Sequence, residues 1–188
     1  MEKQIIVRPL QLEDIPAVAD LLSSVFYPSN GWFSWVSPIL KLGIYQDLKT
    51  HYFARSSQYV CLVGIDPSES GQCDRAIVGS VEVSVRSLIA WSPFEPSVPY
   101  ISNLAVARSF RGRGVGKQLL LACEPVANRW GFGELYLHVK GDNRAARNLY
   151  INVGYRTYRS EMPAWVRLLG HPQQLLLRKR LTSYSREG

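Results

Sequence analysis

Cysteine is scarce in this chain: 3 of 188 residues, at Cys61, Cys73 and Cys123. None has metal-ligand spacing and there is no C-x-x-C, so a zinc ribbon, a thioredoxin-type motif and a disulfide framework are all excluded. The thiols read as reduced, as in a cytoplasmic protein, and no metal is expected. No stretch supplies the ~20 uninterrupted apolar residues of a membrane span, so membrane insertion is not expected. The aromatic-rich run from Gly31 to Tyr45 is interrupted by Lys41, serines and Pro38. Near the N-terminus an acid, Glu2, and Pro9 stand where an export signal needs an apolar run, so export is not expected. There is no internal repeat. Acids are outnumbered, 15 against 22 Lys and Arg, for a net charge of +7. That balance suits any polyanion, whether nucleic acid, anionic membrane or a phosphorylated small molecule. No RNA-binding signature accompanies it, so nucleic acid is not expected as a partner.

What is present is enough apolar residue, 46%, for a folded body, in a length that suits one domain with a sizeable core. Residues 1–182 read as that single domain and 183–188 as a frayed tail. Gln4–Val7 is a first strand, ended by Arg8-Pro9. Glu13 and Asp14 open a helix whose apolar residues, from Ile15 to Val25, recur at helical spacing. A second helix covers Val36–Ala54. Gln58–Ile65 and Ala76–Val85 form a hairpin, and Ile89–Pro99, with three prolines, reads as a loop. A strand from Tyr100 follows, then a helix from Val115 that Pro125 should kink and Gly131 should cap. Glu134–Val139 is a fifth strand. Asp142 is the expected N-cap of the next helix, with Ala145, Ala146, Leu149, Tyr150 and Val153 inside and Gly154 ending it. Tyr155–Glu161 and Leu175–Leu181 are the last strands, with Met162–Gln174 a loop between them. The fold class is α+β: a mixed central sheet of about seven strands flanked by helices.

The stretch Tyr100–Gly116 organises the rest. An apolar strand turns through a basic, glycine-rich loop into the N-terminus of an amphipathic helix. Backbone N–H groups and the helix dipole converge there on one spot, with Arg111, Arg113 and Lys117 beside it: an anion cradle. The P-loop is excluded by spacing, because Gly116-Lys117 is preceded by Arg at 111 and followed by Gln at 118. The dinucleotide fingerprint is excluded too, because the glycines read G-x-G-x-G and lie late in the chain. Arg111-x-x-Gly114-x-Gly116 remains, with an ordinary Arg/Gly turn before a helix as the alternative.

That hexapeptide resembles the acetyl-CoA loop of the GCN5-related N-acetyltransferase (GNAT) superfamily. The element order is similar to that fold along nearly the whole chain. A second block, Asn143-x-x-Ala146-x-x-Leu149-Tyr150 followed by Gly154-Tyr155, resembles the family's N-x-x-A-x-x-L-Y-x-x-x-G-F/Y segment. The resemblance implies acetyl-CoA as cosubstrate, held by Arg111, Gly112, Arg113, Gly114, Val115, Gly116, Lys117, Asn143, Ala146 and Tyr150. It implies a bulged fourth strand in which Leu104, Ala105 and Val106 bind pantetheine and thioester through the main chain, the Leu104 amide facing the developing oxyanion. It implies that Tyr150 protonates the departing thiolate, against the alternative of a core aromatic at helical spacing.

Many members use a Glu on the fourth strand as base. Tyr100 stands at that place here, and His138 lies on the fifth strand. The pair resembles that of NatE- and RimI-like protein N-terminal acetyltransferases, with His138 the candidate base, Tyr100 ordering water or peptide, and Glu82 in reserve. An imidazole with its ordinary pKa of ~6.5 can accept a proton near neutrality. The acceptor loops of the family correspond to Phe26-Tyr27-Pro28 and Met162-Pro163-Ala164-Trp165, which suit a peptide end or simply cover the core. The blocks Ser-Asn-Leu-Ala-Val, Leu-Tyr-Leu-His-Val and Ala-Arg-x-Leu-Tyr are similar to plastid and cyanobacterial members. Together these imply transfer of acetyl to protein or peptide amines, α or ε, by a monomer or weak homodimer. The rivals are a GNAT acting on a small amine and a non-catalytic CoA- or nucleic-acid-binding module.

Overall fold

The computed structural model describes residues 5–27, 37–54, 56–67, 76–88, 96–160 and 173–182. Pro28, Trp165 and the rest of the Met162–Trp165 loop lie outside them, as do Glu161, Cys73 and the tail 183–188. Among the described residues the order is β1 (Ile6–Pro9), a single 3₁₀ turn (Leu12–Asp14), α1 (Ile15–Phe26), α2 (Ser37–Ala54), β2 (Tyr59–Asp66), β3 (Ala76–Ser87) and β4 (Ser97–Val106). A second 3₁₀ turn (Arg108–Phe110) leads to α3 (Val115–Arg129), β5 (Glu134–Lys140), α4 (Arg144–Val153), β6 (Arg156–Ser160) and β7 (Gln174–Arg180). The strands make one seven-stranded sheet in the order β1-β2-β3-β4-β5-β7-β6. β1 runs antiparallel to β2, β4 parallel to β5, and β7 antiparallel to both β5 and β6. The sheet is mixed and the class α+β, as the sequence implies. Among the described residues no helix is long and apolar enough to cross a membrane.

By contact density the chain forms two compact units, residues 1–82 with 103–122, and residues 83–102 with 123–188. In the first, Ile15, Val18, Ala19, Leu21 and Leu22 of α1 meet Leu48 of α2, Cys61, Val63 and Ile65 of β2, and Ala105 of β4. The entry to α1 is fixed by charge. Asp14 accepts both Arg8 terminal nitrogens, at 2.5 and 2.9 Å, and the Gln11 N–H at 2.7 Å. Gly79 of β3 is required by packing: a Cβ there would stand 2.9 Å from Leu119, 3.0 Å from the Ala105 carbonyl and 3.1 Å from Val115. In the second unit Leu135 and Leu137 of β5, Leu176 and Leu177 of β7, and Tyr155 are buried.

Some boundaries differ from the sequence-based expectation. β1 extends through Pro9, which is tolerated because β1 is an edge strand and proline there forfeits no interior ladder bond. β4 starts at Ser97, so Pro99 belongs to the strand and not to a loop. The registered pairs with β5 begin one residue later, Tyr100↔Tyr136 and Ile101↔Leu137. The N-cap of α4 is Asn143 and not Asp142: its Oδ1 accepts the Ala146 N–H at 3.1 Å. Ala145 is exposed, so the buried stripe of α4 narrows to Tyr150 and Val153 with Ala146 and Leu149 half-buried. Gly154, at φ 103, ends that helix as expected. α3 continues through Pro125 for a further turn.

Candidate functional site

In the first unit the loop after β4 has the features of an anion cradle. The 3₁₀ turn closes with the Phe110 N–H on the Ala107 carbonyl at 2.9 Å. Gly112 and Gly114 then adopt φ 76 and φ 79, values that only glycine takes without strain. Among the described residues no heavy atom lies within 4 Å of where a Cβ would stand at either, which leaves open space beside them. α3 begins at Val115, and its first intrahelical bond is from Gln118 N–H to the Gly114 carbonyl at 3.0 Å. Helix geometry therefore leaves the preceding N–H groups without intrahelical acceptors, at the positive end of the dipole. Arg111, Arg113 and Lys117 are exposed. Arg111 Nε donates to the Val106 carbonyl at 3.2 Å, and the Arg113 guanidinium lies 5.0 Å from the Phe110 ring centroid. Both arginines are thus tied to the strand and turn that precede them. An exposed set of oriented N–H groups and guanidinium groups fits a pyrophosphate.

Just upstream, Asn103 adopts φ 51, the left-handed region, within β4. A residue so placed departs from regular strand geometry, and Leu104, Ala105 and Val106 follow it. Leu104 and Val106 are half-buried and Ala105 is buried. Beneath this turn lies Glu82, only 5% exposed, with Oε1 unpaired. Burial first of all pushes its carboxyl above the ordinary carboxylate range; the Asn103 side chain opposes that by hydrogen bonding, Asp47 reinforces it, and His51 and Tyr59 oppose it. The Tyr59 hydroxyl is likewise buried beside Glu82, and burial chiefly raises its pKa.

The second unit holds a phenol–imidazole pair. The Tyr100 hydroxyl lies 2.8 Å from His138 Nδ1 and accepts the His138 backbone N–H at 3.1 Å. A phenol that accepts one bond and donates the other satisfies both contacts with Nδ1 unprotonated. The parallel register explains the meeting: Tyr100 is opposite Tyr136, and His138, two residues on, points to the same face. Tyr100 packs with Tyr136, Leu176, Leu88 and Val98. The Arg86 guanidinium stands 3.4 Å from the Tyr100 ring centroid, a contact that no motif announced. Tyr150, in α4, is 8% exposed. Burial, and secondarily Tyr100, raises its pKa to about 12. Its ring meets Tyr155 edge-on at 6.0 Å. Asn143 and Ala146 share the capping bond at the start of α4. At the end of α1, Phe26 and Tyr27 are exposed.

The sequence profile of the Acetyltransferase (GNAT) family matches residues 30–155, which include both the cradle and α4. This chain belongs to the GNAT family. It is 34% identical over 130 residues to GCN5-related N-acetyltransferase 10, chloroplastic, of Arabidopsis thaliana, covering 66% of this chain and 50% of that protein. The chain thus spans about half the length of these curated relatives, which include GCN5-related N-acetyltransferase 7, chloroplastic, of the same plant. Solved structures share the GNAT fold. The PaiA N-acetyltransferase of Thermoplasma acidophilum in complex with coenzyme A aligns with a TM-score of 0.67 at 15% identity, over 94% of this chain and 99% of that one. A chain of the NatC complex bound to Gag peptide and CoA aligns at 0.66 and 19% identity, over 95% and 99%. In this GNAT chain the glycine loop stands directly before α3, and the Asn143–Tyr150 segment runs from the cap into the body of α4.

Proposed function

We propose that the protein is an acetyl-CoA-dependent N-acetyltransferase acting on protein or peptide amines, α-amino groups and lysine side chains being the candidates. The observation that carries the transferase reading is the Arg111–Lys117 loop, with two glycines at positive φ opening directly onto the N-terminus of α3. Acetyl-CoA supplies an acetyl group already activated as a thioester. In this reading Arg111, Gly112, Arg113, Gly114, Val115, Gly116 and Lys117 hold its pyrophosphate, and Asn143 and Ala146 bind it at the start of α4. The main chain of Leu104, Ala105 and Val106 aligns it, and the Leu104 N–H stabilises negative charge on the carbonyl oxygen.

Tyr100 and His138 handle the proton that the acceptor amine loses. The Tyr100 hydroxyl takes that proton, directly or through water, and passes its own to His138 Nδ1, the route that the 2.8 Å contact supports. As the new C–N bond forms and the C–S bond breaks, Tyr150 supplies a proton to the sulfur. Its raised pKa keeps that proton in place throughout the neutral range. An acceptor α-amine, with an ordinary pKa of ~7.7–8.0 against ~10.4 for lysine, needs less help to become neutral.

The preference for a protein acceptor draws support from exposed Phe26 and Tyr27, which suit a peptide end, and from the peptide named in the NatC complex. Pro28 and Trp165 complete the proposed acceptor loops. The buried cysteines Cys61 and Cys123 suit a reducing compartment, the cytoplasm in our reading. The deciding experiment is mass spectrometry of proteins acetylated on co-expression with this chain. New acetyl groups on α- or ε-amines are expected; an unchanged proteome together with turnover of a polyamine or an antibiotic would replace the protein acceptor by a small amine.

A further inference from the structure

Arg86 is an exposed residue near the end of β3, and among the described residues no acid holds its guanidinium. Among the described residues of the second unit the acids are Glu124, Glu134 and Asp142. Glu124 pairs with Lys179, and Glu134 with Arg178 at 3.3 Å and Arg180 at 3.5 Å. No carboxylate among the described residues pairs with Arg86. What holds it is the ring of Tyr100, 3.4 Å away. Stacking on a buried aromatic restrains the planar guanidinium and does not consume its in-plane N–H donors, an arrangement suited to a two-point contact with a carboxylate. The same fixed charge opposes any second cation brought close to Tyr100.

We infer that Arg86 is a specificity-determining residue for the acceptor, selecting amines whose peptide carries an acidic side chain close to the reacting end and rejecting polycationic amines. The inference rests on the proposed role of Tyr100 at the incoming amine. The contact requires only that a carboxylate one or two residues from that amine reach Arg86. A lysine at the same place, or the second ammonium of a polyamine, meets the guanidinium without a counter-charge. The chain's excess of basic residues works in the same direction at longer range.

The test is kcat/KM for three synthetic peptides, identical except for Asp, Ser or Lys at the second and third positions, with wild type, Arg86→Gln and Arg86→Glu. Wild type should favour the Asp peptide over the Lys peptide by ~10-fold or more, each tenfold being ~1.4 kcal/mol. Arg86→Gln should bring the ratio close to one, and Arg86→Glu should invert it. The ratio is internal, so a general loss of activity cancels from it, and the Gln variant decides if the Glu variant does not fold. A ratio unchanged by both variants overturns the inference and leaves the proposed function standing. A wild-type enzyme that acetylates none of the peptides overturns the protein-acceptor reading, and this inference with it.

Discussion

Arg111, Gly112, Arg113 and Gly114 are all exposed, whereas Tyr100 and Tyr150 are 5% and 8% exposed. In the proposed function the first region works through backbone: positive-φ glycines, helix-end N–H groups and charges that water already solvates. In the same reading the second works through side chains, and burial is the first cause of the shift that takes Tyr150 to about 12. An exposed cradle can hold a highly charged phosphate without desolvating its own cations, because the ligand brings the counter-charge. A proton-transfer group gains from the opposite setting. In low dielectric a hydrogen bond to a developing charge is stronger, and the proton is not lost to solvent beforehand.

That contrast is tested most severely at Tyr150. Tyr150→Phe should lower kcat by ~10²-fold or more while the KM for acetyl-CoA stays within a few-fold, as fits a group acting at the reacting atoms. With its pKa at about 12, Tyr150 should impose no alkaline limb on wild-type kcat below pH ~10; a limb near pH 9 that disappears in the Phe variant would contradict the burial argument. The next largest effect is expected in the cradle. Gly114→Asp puts a side chain at φ 79 and a negative charge where the phosphate should lie, so calorimetry should show acetyl-CoA binding weakened by ~10²-fold. Retained affinity would remove the loop from the binding site.

The smallest effect concerns Glu82, a buried acid in the backbone-driven region. Burial raises its folded-state pKa above the ordinary 4.5. The stability linked to its protonation is therefore fully present below pH 4.5 and is lost as pH rises through the folded-state value. Glu82→Gln should raise Tm by roughly 2–4 °C at pH 8, and the gain should vanish at pH 4. Thermal scans at the two pH values check it, and a Gln variant that is less stable at pH 8 would give the Glu82 carboxylate a stabilising partner instead.

How much was readable in advance depended on the range of the interaction. The cradle was legible because the φ values at 112 and 114 demand glycine, and that demand leaves a spacing in the sequence. Strand and helix order was legible because burial on one side imposes a period of 2 or 3.6 residues. Pro99 was misread because three prolines describe a loop when only local preference is considered, while placement in β4 is a tertiary outcome. The cap of α4 went to Asn143 over Asp142 by one residue of helix phase, which either side chain could have satisfied. Tyr100 and His138 could be assigned to neighbouring strands by resemblance, but their two hydrogen bonds follow from a parallel register that neither strand encodes alone.

Local chemistry thus carried the family's motifs, the fold class and the residue types available for reaction, because glycine spacing, charge and apolar period are properties of short segments. Pairing across strands settled the rest. It set the phenol of Tyr100 against His138 Nδ1, laid Arg86 over that phenol, and buried Glu82 with one oxygen unpaired. Those contacts join β3 to β4 and β4 to β5. They exist only once burial of the sheet fixes a register, since a shift of one residue would turn each of these side chains to the other face.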